Sequence, residues 1–137
     1  MKEIITALMI WIGANTNLDT NHDIPLVVFL PQEQMEQMYY GDHEHDEDSL
    51  HGLYDTKNNR IILMDTWDRR DPWDLAVLLH EMVHYLQDMN KIKFNCTAEM
   101  ERDAWPIQKK YLDQVHNYDW EYDELWYVMI SSCNMNY

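Results

Sequence analysis

The sequence predicts a small α+β domain, and three observations carry that expectation. Apolar residues recur at helical spacing in several segments, short β-branched runs bounded by turn residues lie between them, and 137 residues suit one domain. With 46% hydrophobic and 12% aromatic residues, material for a packed core is ample. A single domain over residues 1–137, with a polar loop at 41–49, is therefore expected.

The elements follow in order. Residues 3–14 place Ile4, Ile5, Leu8, Trp11 and Ile12 on one helical stripe, and residues 15–23 read as a polar connection. Residues 24–30 (IPLVVFL), closed by Pro31, suit a buried strand, and 32–40 suit a short helix. Residues 50–56 and 60–64 form a hairpin across Lys57, Asn58 and Asn59, since asparagine tolerates left-handed backbone. These runs give a short three-stranded sheet. Asp71 caps a helix from Pro72 to Met89, with proline and Asp74 in its first turn. After a connection at 91–96, Thr97 caps a second long helix to about His116, and a last helix spans 120–130.

Charge bounds the partners. Ten Lys and Arg against 25 Asp and Glu leave a net charge of −15. A field of that sign repels nucleic-acid phosphate and anionic membrane surfaces, whereas substrates rich in Lys or Arg remain compatible. The longest apolar run, Ile4 to Ala14, is interrupted by Thr6 and is too short to span a bilayer. Lys2 ahead of that run gives it some export-signal character, but Glu3 and the helical stripe favour a helix of the folded domain. Cys96 and Cys133 can pair or stay free, so the compartment is open, with the cytoplasm slightly favoured.

The informative segment is His80-Glu81-Met82-Val83-His84, an H-E-x-x-H motif. Histidines four apart lie on one helix face, where a single divalent ion can join them, and the intervening glutamate is placed to reach water beside that ion. Shuffling a chain with 7 His yields roughly 0.03 such motifs. Val77, Leu78, Leu79, Met82, Val83, Tyr85 and Leu86 surround it without a charge, so the helix buries its polar groups, and buried charge needs a reason. The competing reading is a pair of core histidines hydrogen-bonded to Glu81.

A third ligand comes from the next helix. Gln87 and Asn90 occupy positions where a metzincin has Gly and His, which removes that class. Glu99, Glu101 and Asp103 are the candidates. At 100° per residue, Glu101 with Gln108 edges the apolar arc of Met100, Ala104, Ile107 and Tyr111, while Glu99 faces away, so phase favours Glu101 and small Ala104 admits close approach. Pro106 is expected to kink this helix or to limit the phase argument to residues 98–105. His43 and His45 in the acidic loop read as solvated rather than as a second cation site. The C-terminal Trp and Tyr residues read as core or interface rather than a binding cage, and the ten Met mostly as core filling.

On these residues the chain resembles the gluzincin metallopeptidases, in which H-E-x-x-H and a glutamate from a later helix hold the metal. More closely, it resembles a family of small bacterial proteins described as a domain of unknown function. The similar features are Leu53-Tyr54-Asp55 leading into Ile61-Ile62-Leu63, Trp67, Leu75 to Gln87, and Cys96 followed by Glu101-Arg102-Asp103-Ala104-Trp105 with Gln108. They cover most of residues 4–112, and Pro106 and the acidic stretch 42–48 depart from the pattern. The resemblance implies a zincin-like fold and, for the closer family, no established substrate. The expectation is a zinc-dependent hydrolase, a peptidase acting on peptide or protein. His80, His84 and Glu101 would hold Zn²⁺, whose bound water, its pKa lowered toward about 7, attacks an amide carbonyl with Glu81 as general base. Tyr111, His116 and His51 are candidate oxyanion donors, and the strands at 50–56 or 60–64 could offer an edge to a peptide. The alternatives are a catalytically silent zinc-stabilised domain, or an acidic interaction protein that mimics nucleic-acid charge.

Overall fold

A mixed three-stranded sheet of order β1-β3-β2 organises the chain, with β1 at Leu26–Leu30, β2 at Gly52–Asp55 and β3 at Arg60–Met64. The structure, a computed structural model, describes residues 1–40 and 51–133. The polar loop at 41–49, with His43 and His45, lies outside them. The β2–β3 hairpin forms as its turn chemistry requires, and Asn59 takes the left-handed conformation at φ 51°. The central strand β3 buries Ile61, Ile62 and Leu63 completely. In contrast, β1 is not the buried strand its composition suggested. It pairs with β3 on one side, in parallel, and leaves Leu26 62% and Phe29 43% exposed. Composition reports β-propensity, while burial depends on which neighbours a strand acquires.

Helix α3, Pro72–Met89, is the hub. The Asp71 side chain accepts from the Trp73 amide at 3.0 Å, and Pro72 opens the first turn, as the sequence predicts. Leu78, Leu79, Met82, Val83 and Leu86 are fully buried. At roughly 1.5–3 kcal/mol for each large apolar side chain, this stripe anchors the domain. The helices α1, Lys2–Asn15, and α2, Gln32–Tyr40, complete the first half; α1 sends Ile5, Leu8, Met9 and Ile12 into the core, and α2 buries Met35. Among the described residues, no helix is long and apolar enough to cross a membrane.

The second half differs from expectation at three places. Thr97 does not cap a helix: a 3₁₀ turn spans Thr97–Met100, Cys96 occupies its cap position, and α4 begins only at Glu101 and runs to His116. Cys96 cannot yield that position freely, because it is bonded to Cys133 with 5.7 Å between Cα atoms. The second place is Pro106, through which α4 runs unbroken. Proline lacks the N–H that would bond the Arg102 carbonyl, and the Tyr127 hydroxyl donates to that oxygen instead. Tyr127 belongs to α5, Glu124–Ile130, which is shorter than the predicted 120–130 because Asp123 caps it through the Trp126 amide at 2.8 Å.

The disulfide closes a loop of sequence separation 37 that contains α4 and α5. Such bonds persist in oxidising compartments and are reduced in most cytosols. Cys133→Ser should cost about 4 kcal/mol on the chain-entropy account. Urea unfolding of both proteins measures this, and an unshifted midpoint would contradict it.

Candidate metal centre

The chemistry-bearing residues meet where α3 packs on α4. His80 and His84 project from one face of α3, one turn apart, with ring centroids 4.7 Å apart and ring planes at 85°. Across from them, Glu101 and Gln108 flank Ala104, whose complete burial lets the two helices approach. The His80 Nε2 lies 3.1 Å from the His84 Nε2 and 2.9 Å from the Glu101 Oε2. The His84 Nε2 lies 2.9 Å from the Glu101 Oε1. Tetrahedral bonds of about 2.0–2.1 Å to an ion would set such ligand atoms roughly 3.3 Å apart, so the triangle needs little expansion to hold one.

Two glutamines orient the rings. Gln108 Oε1 sits 2.7 Å from the His80 Nδ1, and Gln87 Oε1 sits 2.9 Å from the His84 Nδ1. Gln87 is itself fixed by donating its amide to the Met100 carbonyl at 3.0 Å. An amide oxygen only accepts, so each Nδ1 carries the hydrogen and both Nε2 atoms turn toward the carboxylate. Positive charge must then sit between them, either as a proton or as a cation. The Glu101 Oε2 supports this reading, since it is buried without a hydrogen-bond partner of sound geometry among the described residues.

Titration follows from the same contacts. Burial acts to lower the His84 pKa, but its hydrogen bond to Glu101 and the charges of Glu101 and Glu81 outweigh it, raising it to about 9. For Glu101, burial opposes ionisation, while the close contacts and charge of His80 and His84 hold its pKa well below the usual carboxylate range. Glu81 is pushed upward, chiefly by burial, against the pull of both histidines.

Glu81 faces the sheet. The Tyr54 backbone amide on β2 donates to its carboxylate, and the Tyr54 hydroxyl bonds Asp88 Oδ2 at 2.6 Å, tying β2 to α3. Gly52 makes this approach possible. A Cβ there would lie 2.9 Å from Val77 Cγ1 and 3.2 Å from Glu81 Cγ. Gly52→Ala should therefore cost about 1–3 kcal/mol and shift Glu81; urea melts would measure the loss, and unchanged stability would contradict the contact.

The structure thus brings His80, His84 and Glu101 together, with Glu81 beside them. It does not bring Glu99, whose Oε1 accepts from the Asn95 amide at 3.2 Å, close to Cys133. Tyr111 and His116 bond one another at 2.9 Å rather than the cluster, and the His51 carbonyl accepts from the Met64 amide. Sequence reasoning noted Gln108 but missed Gln87 as a partner of the site. Its signal was available, since a polar residue three positions after His84 on an apolar helix shares that histidine's face. A family model described as Domain of unknown function (DUF6647) matches residues 1–136. No curated protein and no solved structure matches the chain.

Proposed function

We propose, for a chain that belongs to the family described as Domain of unknown function (DUF6647), a zinc-dependent hydrolase of gluzincin type acting on peptide bonds. One observation carries the reading: three lone-pair donors, His80 Nε2, His84 Nε2 and the Glu101 carboxylate, converge within 3.1 Å contacts while both Nδ1 atoms are held by glutamine oxygens. A zinc ion there would supply a Lewis acid that polarises a carbonyl and acidifies water. Glu81 supplies the base. Its buried carboxylate, with a raised pKa, accepts the proton of the attacking water and can return it to the leaving amine. The Tyr54 amide fixes where that carboxylate points.

Peptide is the substrate class because β2 ends the sheet. Among the described residues, the order β1-β3-β2 leaves the outer edge of β2 without a strand partner, beside the Glu81 carboxylate that takes its Tyr54 amide, so its other outward groups can hydrogen-bond an extended chain, whereas β3 is paired on both sides and cannot serve. Zinc titration of metal-free protein tests the ligand set. One ion per chain is expected, with Tm rising by roughly 5–10 °C when free zinc is a hundredfold above Kd. A chain that takes up no metal, and whose stability is indifferent to chelator, would remove the hydrolase reading and favour a metal-independent role.

A further inference from the structure

The aromatic C-terminal stretch, expected to be core or interface rather than a binding cage, packs Trp120 against the core and also helps to wall a cavity. Trp73 from α3, Trp105 from α4, Trp120 and Tyr122 from the connection, and Asp123 and Trp126 at the start of α5 line about 400 Å³. Four of the chain's six tryptophans are thus gathered in one place. The rings brace one another. Trp105 lies 4.6 Å from Trp126 and 5.1 Å from Trp120, and Trp73 meets Trp120 edge to face at 5.1 Å and 78°. None of the four is buried, and Trp126 is 45% exposed. Apolar area concentrated around a concavity marks a binding surface more often than a failure of packing.

Charge selects the occupant. Exposed Asp119, Glu121, Asp123 and Glu124 alternate with or adjoin the wall residues Trp120 and Tyr122, in a chain of net charge −15. Lys109 is already engaged, donating to the Trp120 carbonyl oxygen. Asp123 lines the cavity, and its Oδ1 is taken by the Trp126 amide, while Oδ2 accepts no hydrogen bond among the described residues. Aromatic faces attract a cation through their quadrupole, and a carboxylate at the rim adds to that attraction, so a lining of this composition favours an ammonium or guanidinium group over a neutral one.

Position ties the cavity to the metal centre. Gln108 forms part of its wall and also holds the His80 Nδ1 at 2.7 Å. Trp73 and His80 are seven residues apart on one face of α3, about 10 Å along the axis. A long basic side chain bridges most of such a span when its backbone lies beside His80. We propose that this cavity is the subsite for a lysine or arginine side chain of a peptide substrate. The role as a subsite rests on the peptidase reading above, while the cavity's affinity for a basic peptide does not.

Tryptophan fluorescence of the full chain, titrated with Ac-Gly-Gly-Lys-Gly-Gly-NH₂ and its norleucine and glutamate counterparts, tests this in zinc-loaded and in chelated protein. The lysine peptide should bind about tenfold tighter than the norleucine one, and the glutamate peptide weakest. Asp123→Asn keeps the helix cap but removes the charge, and Trp126→Leu alters an exposed ring; each should weaken lysine-peptide binding about tenfold with an unchanged circular dichroism spectrum. Equal binding of the norleucine peptide, or full affinity in either variant, would overturn the proposal. Tetramethylammonium binding as tightly as the peptide would overturn the peptide as occupant. Lysine-peptide binding in a protein that hydrolyses nothing keeps the basic-peptide site and removes the hydrolase; hydrolysis without preference for a basic residue does the reverse.

Discussion

Glu81→Gln should lower peptide hydrolysis by the zinc-loaded protein about 10²–10⁴-fold while leaving zinc content and fold intact. The expectation combines two features of the site. Glutamine cannot take the proton that the proposed mechanism assigns to Glu81, yet its amide oxygen can still accept from the Tyr54 backbone amide that holds the native carboxylate. The substitution also removes a carboxyl whose ionisation burial disfavours, so stability should hold or rise slightly. Mass spectrometry of a mixed peptide library, incubated with each protein, gives the rates. Equal rates in the two proteins would take the base role from Glu81. Zinc bound one to one, with no cleavage by the native protein, would make the ion a structural staple between α3 and α4.

Zinc affinity should climb about tenfold per pH unit up to pH 9, because His84 must shed a proton before it can serve as a ligand. The cation-free protein has the opposite trend. Its His84 pKa is raised from 6.5 to about 9, so the stabilisation from the pair with Glu101 is fully present below pH 6.5 and lost as pH rises through 9. Glu101 has a lowered pKa, so its side of the pair is fully present above about pH 4.5 and lost as pH falls through the depressed value. The window of full effect is therefore roughly pH 4.5 to 6.5. Moving one pKa from 6.5 to about 9 corresponds to on the order of 3 kcal/mol, counted once for the pair. Thermal melts of chelated protein between pH 5 and 9.5 should show that loss, and zinc should restore it. His84→Ala should abolish both the restoration and the pH trend. A pH-independent zinc affinity, or a His84→Ala protein that still binds zinc at native strength, would place the ion elsewhere.

Much of the centre was readable before any coordinates, because its determinants are local. Two histidines four apart share a face on any α-helix, Asp71 with Pro72 starts that helix by its own hydrogen bond, and Asn59 turns the hairpin because its backbone tolerates positive φ. Even the placement of Glu101 rather than Glu99 beside the two histidines needed only 100° per residue and the apolar arc around Ala104. What the residues alone left open involves partners distant in sequence. Whether β1 is an edge or a centre depends on strand order, and the Cys96–Cys133 bond on where two chain segments 37 residues apart come to rest. The roles of Gln87, which spans from His84 to the Met100 carbonyl, of Gly52, which clears space for Glu81, and of the tryptophans that wall a cavity also appear only when elements pack. Backbone periodicity is a property of neighbours along the chain, so the sequence by itself determined the helices and the faces that carry their polar groups. Which face meets which is settled by burying apolar area across the whole domain, and that only the tertiary structure decided.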